Sequence, residues 1–406
     1  MSSVARQPDL PALALSDFTV VTSLGAGRAT TIAALREGKS GLSPCTFDAV
    51  PFVTYAGEFA DLDAVKLDDE FASFDCRNHR LAAVALREEG FVESAAAARE
   101  RYGARRIGVF LGTSTSGLRQ TELAYRRRDN ETGDLPSDFD YERTHDTYSL
   151  ARFVRASLCL AGPAFVVSTA CAATAKVFGS AARMIAAGVC DAAVVGGADT
   201  LCATTLYGFS SLGVMSEEPC RPFDVERRGI SLGEAAGFVL LERPRDTSDE
   251  DTVLLLGVGE SSDAYHMSAP HPDGIGARLA MERALAAAGL RAADIDYINL
   301  HGTATPVGDA AEDRAIVDLF GTATPCSSTK GFTGHTLGAS GVIEAVISTL
   351  GILHGFMPGS PHTRAVDPAF RSRYVCEGSR ARIDRAISNS FGFGGANCSL
   401  VLGRAA

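Results

Sequence analysis

Tryptophan is absent from the 406-residue chain, and its ten cysteines include no Cys-x-x-Cys pair. Without paired spacing, neither a structural zinc site nor a disulfide framework is expected. Reduced thiols in a cytoplasmic protein are the simplest reading. Basic residues are also in deficit: 38 Lys and Arg stand against 49 Asp and Glu, for a net charge of −11. That balance argues against the basic footprint of a general nucleic-acid binder. The opening "MSSVARQPDLPALALSDF" has no basic segment followed by a long apolar core, so no secretory signal is expected. A run of about 18 uncharged apolar residues, the mark of a membrane span, is missing too. The longest candidate, "LGASGVIEAVISTLGILHGF", is interrupted by Glu344 and rich in Gly and Ser, and reads as a buried helix.

What is plentiful is glycine, at 41 residues. Small residues at that density point to close helix–sheet packing and tight turns. Short β-branched runs alternate with Ala-rich stretches. "IGVFLG" (Ile107 to Gly112), "AFVVS" (Ala164 to Ser168), "DAAVVGG" (Asp191 to Gly197) and "GFVLLE" (Gly237 to Glu242) read as buried strands. Val177, Phe178, Ala181, Met184 and Ile185 repeat at helical spacing and predict a helix from near Cys171 to Gly188. The polar tract "RPRDTSDEDT" (Arg243 to Thr252) is the candidate linker between two α/β units, 1–250 and 251–406. Beyond it, "VLLLGVGE" and "IDYINLHG" read as strands, "GARLAMERALAAAG" as a helix and "AISNSFGFGGANCSLVLG" as a terminal hairpin.

The two units echo each other. "FVVSTACAATAKVFGSAARMI" and "PCSSTKGFTGHTLGASGVIEAVI" each run from a strand through Ser-Thr to a turn and a small-residue helix. A duplicated unit facing itself brings both turns to one cleft. The charged segment from Ala124 to Asp146, within a capping insertion near 113–150, reads as a surface loop.

Several side chains could carry chemistry. Cys171 sits where a strand gives way to a helix, so unpaired N–H groups are expected to lower its thiol pKa below the usual value of about 8.5. A nucleophile and a buried core thiol both fit that position. Cys159, Cys190, Cys202 and Cys398 lie in or beside apolar runs and are expected in the core. His301 follows a strand in "NLHGTATPVGD", together with Thr303, Thr305 and Asp309. Lys330 and His335 share the Gly-rich turn "STKGFTGHTLGASG". An imidazole at a helix start is biased toward its neutral, hydrogen-bond-donating form. Glu344, nine residues after His335, needs a partner in its apolar surroundings. The loop "NSFGFGGAN" carries Phe391 and Phe393 and offers backbone N–H groups to an oxyanion.

Together, "STACAA", "HGTATPVGD", "KGFTGHTLGASG" and "NSFGFGGAN" resemble the β-ketoacyl-acyl carrier protein synthases, of the elongating Cys-His-His type within the thiolase superfamily. "CRPFD", "GEAAGFVLLE" and "SSDAYHMSAPHPDG" are similar to this family as well. The resemblance implies a thiolase-like α/β fold, two duplicated halves in a five-layer αβαβα arrangement, as a homodimer or paired with a related chain-length-factor subunit. It implies decarboxylative Claisen condensation of a malonyl group with an acyl group held on Cys171, both delivered on the phosphopantetheine of acyl carrier protein, with no resident cofactor or metal. His301 and His335 would stabilise the enolate, and the N–H groups of Cys171 and Phe393 would form the oxyanion hole. Lys330 would hold the network through Glu344, Asp309 would support it, Thr303 and Thr305 would line the pantetheine tunnel, and Phe391 and Phe393 would border the acyl pocket. Two alternatives stay open: a thiolase acting on coenzyme A thioesters, and a non-catalytic chain-length-factor partner.

"FTVVTSLGAGRATT" and "GTSTSGLRQTE" depart from the family's usual runs and point to a specialised polyene or polyketide pathway. For an acidic carrier protein, Arg77, Arg80, Arg126, Arg127 and Arg128 are the candidate docking cations.

Overall fold

The computed structural model describes residues 10–245 and 252–405. The proposed linker, 243–252, lies mostly outside these described residues.

Five strands build the first half: β1 (Leu13–Phe18), β2 (Ile107–Gly112), β3 (Ala164–Val167), β4 (Ala192–Asp199) and β5 (Ala235–Glu242). Their order is β3-β2-β4-β5-β1, with the first two pairings parallel and the last two antiparallel. The second half repeats this with β6 (Val253–Ser262), β7 (Tyr297–Asn299), β8 (Pro325–Ser327), β9 (Arg385–Gly392) and β10 (Ala396–Arg404). Its order is β8-β7-β9-β10-β6, again two parallel pairings and then two antiparallel. Strand for strand, the chain order matches. The halves join edge to edge where Leu13 and Ala14 of β1 face Leu255 and Leu254 of β6.

Helices cover both faces of each sheet, which is why β2, β4 and β5 read as continuous apolar runs and are buried throughout. Helices α1 (Arg77–Arg87), α2 (Phe91–Tyr102) and α3 (Tyr148–Ser157) pack on the outside of the first sheet. Between the sheets lies α4 (Ala173–Ala186). On the outside of the second sheet lie α5 (Ile275–Ala288) and α6 (Pro306–Phe320). The partner of α4 in the central layer is α7 (Ser340–His354). Val177 and Phe178 of α4, Val342 and Val346 of α7, Val239 of β5 and Leu400 of β10 share one core. These are the five layers that the resemblance implies.

Small residues allow the two central helices to touch. A Cβ at Gly341 would stand 2.4 Å from the backbone nitrogen of Ala175. The Thr174 hydroxyl donates to the Gly338 carbonyl at 2.6 Å and accepts from the Val342 N–H at 3.0 Å. Helix α7 is apolar all round because it is enclosed all round. The stretch Leu337–His354 is long and apolar enough to cross a membrane, yet 89% of it is buried inside the protein.

One expectation needs correction. Cys159 is exposed, at the end of the turn that follows α3, whereas Cys190, Cys202 and Cys398 are buried. Within the segment 113–150, Thr113, Thr115 and Ser116 are buried, and residues 125–134, 137–138 and 141–143 are exposed.

Candidate active site

The functional side chains sit on loops beyond the ends of the parallel strands, where open α/β sheets gather their sites. Cys171 follows β3, His301 follows β7, and Lys330 and His335 follow β8. The end of β9 supplies Phe391, and the turn between β9 and β10 supplies Phe393. Because the halves repeat, β3 and β8 deliver their turns to the same place. The Cys171 sulfur and a ring nitrogen from each of His301 and His335 lie within 4.8 Å of one another. All three line a cavity of about 310 Å³ that Thr303, Thr305, Phe391 and Phe393 also border. The two imidazoles meet edge to face, with ring centroids 5.4 Å apart.

Cys171 occupies a short helical turn, Ala170–Ala172, immediately before α4. Ala170 is held at φ +50°, in the left-handed region that non-glycine residues rarely enter. The backbone N–H groups of Phe393 and of Cys171 itself lie beside the sulfur and pull its pKa down, which leaves them next to where the oxygen of an acyl group on that sulfur would sit. The expected low thiol pKa is not found. Burial pushes the Cys171 thiol up to about 11, outweighing Lys330 and the two N–H groups that pull it down. Cys171 is therefore protonated near neutrality.

Both histidines are neutral. Burial first, and then the Lys330 charge, hold His301 and His335 well below the ordinary imidazole value. Their tautomers follow from their neighbours. His335 Nδ1 accepts the Leu337 N–H at 3.1 Å and lies 3.1 Å from the Ser340 hydroxyl. His301 Nδ1 faces the Lys330 ammonium at 3.4 Å. With Nδ1 accepting, each neutral ring carries its proton on Nε2, a donor for the cavity. Lys330 is fully buried and ion-paired to Glu344 of α7. Burial holds the Glu344 carboxyl above its usual range, although Lys330 opposes this. A cysteine and two histidines could also meet a metal ion, but the ammonium beside His301 disfavours a second cation there.

Two family models match most of the chain, up to residue 364. "Beta-ketoacyl synthase, N-terminal domain" covers residues 18–247 and "Beta-ketoacyl synthase, C-terminal domain" covers 253–364.

The chain belongs to the β-ketoacyl synthase family.

Among curated relatives, the synthase is 34% identical to 3-oxoacyl-[acyl-carrier-protein] synthase 2 of Synechocystis, over 90% of this chain and 91% of that protein. It is 33% identical to the protein of the same name from Coxiella burnetii, over 96% and 98%. Among solved structures, it is similar to the ketosynthase ApeO in complex with its chain length factor ApeC from Xenorhabdus doucetiae, with 36% identity, a TM-score of 0.87, and 98% and 100% of the two chains covered. The ishigamide ketosynthase/chain length factor aligns at 30% identity and a TM-score of 0.88, with the same coverage.

Two further carboxylates shape the synthase's site. Asp309 accepts the N–H groups of Thr303 at 3.0 Å, Ala304 at 3.1 Å and Phe223 at 2.8 Å, and so supports the threonine loop. Glu312 was not anticipated from the sequence. Its oxygens accept the N–H groups of His301 at 2.8 Å and Gly302 at 2.7 Å, and burial pushes its carboxyl up to about 7. Its spacing from Asp309 on one helix was the available signal, hidden in the charged string "GDAAEDRA".

The docking arginines need correction. Arg77 is buried, and its guanidinium grips Glu234 through two nitrogens at 2.6 and 2.8 Å and also reaches Asp63 and Glu58. It is a strut of the first half and cannot meet a carrier protein. Arg80 is largely covered and bound to both oxygens of Asp75. Arg126 is tied to Asp48 and Arg127 to Asp138, each half exposed. Arg128 is exposed on the segment that follows.

Proposed function

We propose that the synthase catalyses decarboxylative Claisen condensation, lengthening an acyl chain held on Cys171 with two carbons from malonyl-acyl carrier protein. The observation that carries this reading is the trio itself: one buried thiol beside two neutral imidazoles that both present Nε2–H to one cavity. In the first half-reaction the Cys171 sulfur attacks the incoming thioester carbonyl. The carbonyl oxygen becomes an oxyanion, met by the N–H groups of Cys171 and Phe393. The carrier's phosphopantetheine leaves as a thiolate, and the proton lost by Cys171 passes to it through a neutral imidazole. In the second half-reaction the malonyl carboxylate leaves as CO2. The enolate oxygen that forms is stabilised by the Nε2–H groups of His301 and His335. The enolate carbon attacks the acyl thioester, a C–C bond forms, the C–S bond breaks, and Cys171 regains a proton from solvent.

The Lys330–Glu344 pair keeps this arrangement neutral overall while its cation opposes protonation of the histidines. Thr303 and Thr305, whose hydroxyls are 2.9 Å apart at the cavity wall, suit a pantetheine amide. A thiolase reading requires a second thiol in the cavity. Cys171 is the cysteine that lines it, and Cys398 is buried in β10 instead. Similarity to ketosynthases solved with chain length factors supports a specialised polyene or polyketide pathway and a related subunit, or a second copy, as partner. Strand β3 supports the pairing, because it is apolar and, among the described residues, has β2 as its sheet neighbour on one side and no strand on the other. Ten free cysteines support a reducing, cytoplasmic setting. We propose no resident cofactor.

The test is intact-mass measurement of the protein after incubation with a panel of acyl-carrier proteins, followed by malonyl-carrier protein. An acyl adduct on Cys171 that is discharged as a β-ketoacyl product is expected. Turnover of acetyl thioester without any malonyl donor would instead establish a thiolase.

A further inference from the structure

Asp199, at the end of β4, is fully buried and has no cationic partner among the hydrogen bonds and ion pairs described. Neutral donors converge on it instead. Its Oδ1 accepts the hydroxyls of Thr113 at 2.8 Å and Thr115 at 2.7 Å, and the N–H groups of Ser114 at 2.8 Å and Thr115 at 2.7 Å. Its Oδ2 accepts the N–H of Ala339 at 3.1 Å, from the other half of the molecule. Burial raises the Asp199 carboxyl above its usual value, and the hydrogen bonds from Thr115, Thr113 and Ser114 oppose that rise by stabilising the anion.

The place of that charge matters. Ala339 closes the turn Leu337–Ala339, whose first N–H, on Leu337, fixes the His335 tautomer. Gly338 lies so close that a Cβ there would stand 2.7 Å from Asp199 Oδ2. Thr174, three residues after the nucleophile, bonds the same turn through the Gly338 carbonyl. One carboxylate therefore ties the 113–115 loop of the first half to the histidine-bearing turn of the second, at the seam beside Cys171.

We propose that Asp199 is a positioning residue of the condensation, holding the His335 turn against the 113–115 loop across the seam between the halves, beside Cys171. This rests on the condensing reading for its catalytic consequence. Its charge also bears on the thiol, because Asp199 is among the groups that raise Cys171. The groups facing the sulfur are Lys330, His301, His335 and the N–H groups of Phe393 and Cys171, all of which either lower its proton affinity or are neutral.

The test compares wild type with Asp199→Asn in three measurements. The first is the rate of malonyl thioester decarboxylation, the second the rate of acyl transfer to Cys171, and the third the pH dependence of Cys171 alkylation by iodoacetamide. Decarboxylation, which needs His335, is expected to fall at least about tenfold more than acyl transfer. The alkylation profile is expected to move to lower pH, because a negative charge has been removed beside the thiol. A merely structural role would lower both half-reactions by one factor and leave the alkylation profile in place, and that result overturns the proposal. If Asp199→Asn does not fold, Thr115→Val removes one donor and keeps the carboxylate. It is expected to show the same unequal loss at smaller amplitude, and equal rates there overturn the proposal as well. A wild-type protein that alkylates as expected but never decarboxylates malonyl thioesters defeats the condensing reading, while the alkylation comparison still tests the charge of Asp199.

Discussion

The Nζ of Lys330 stands 3.4 Å from Nδ1 of His301, with Glu344 bound on its other side. An ammonium in that position does two things at once. It donates to Nδ1 and so leaves the proton of the neutral ring on Nε2. It also makes an imidazolium costly, at His301 and, through space, at His335.

Lys330→Ala removes both effects. Without the cation, His301 and His335 accept a proton more readily, so their pKa values rise toward the ordinary imidazole range. The neutral, donating forms are then lost at a higher pH. The acid limb of the decarboxylation profile is expected to move upward in pH, and the rate at neutral pH to fall by roughly two orders of magnitude. A pH–rate series on malonyl thioester decarboxylation checks this. An unmoved acid limb would count against the electrostatic role.

Cys171 itself makes a plain prediction about reactivity. With its thiol pushed up to about 11, little thiolate is present near neutrality. Alkylation by iodoacetamide in the free protein is expected to keep accelerating up to about pH 10, about tenfold per pH unit, without a plateau. A plateau near pH 7 would show a stabilised thiolate instead. Cys171→Ala is expected to abolish the acyl adduct and to lower condensation at least about 10³-fold, read by intact mass and product formation.

Much of this arrangement is visible in the sequence, because chemistry that needs tight turns leaves glycines beside the reactive residues. "STACAA" and "KGFTGHTLGASG" share a strand-turn-helix pattern, and the structure places both turns against one cavity. Strand β2 is read to the residue, since enclosure on both faces produces an unbroken apolar run. Other residues stay hidden for a physical reason. Asp199 and Glu312 are buried carboxylates, yet "GADT" and "AEDR" look the same as solvated segments. What distinguishes them is partners brought in by the fold, such as Ala339, 140 residues from Asp199. Arg77 misleads in the same way: its "CRNHR" setting reads as a charged surface, but Glu234 is 157 residues away. The thiol pKa fails on magnitude, since a helix start lowers it modestly while full burial raises it more.

Glu312 offers a test that separates position from charge. Glu312→Gln keeps the shape but turns an amide NH2 toward one of the two backbone N–H donors of His301 and Gly302. A buried donor left unpaired costs about 1–3 kcal/mol of stability. The pH dependence has a definite sign. The folded carboxyl, at about 7, lies above the unfolded value near 4.3. Its stabilising contribution is complete below the unfolded value and is lost as pH rises through about 7. The stability advantage of wild type over Glu312→Gln is therefore expected to shrink between about pH 5 and about pH 8, measured by urea unfolding. An advantage that grew over that interval would reverse the assignment.

Arg77 is the sharpest case where two roles predict different measurements. As a docking cation, its loss would raise KM for carrier-bound substrates and spare the fold. In the structure it neutralises Glu234, which is fully buried and also accepts the N–H groups of Leu201 at 2.9 Å and Phe59 at 3.1 Å. Arg77→Ala leaves that carboxylate buried without its cation, a loss of about 3–5 kcal/mol. The variant is expected to melt well below wild type, while its folded fraction keeps a wild-type KM for acyl-carrier protein. Arg128→Glu is the contrasting substitution. It lies on the exposed segment, so it is expected to leave the melting temperature unchanged, and any docking contribution from that segment shows in KM alone. A wild-type melting temperature for Arg77→Ala, together with a raised KM, would return Arg77 to the docking surface.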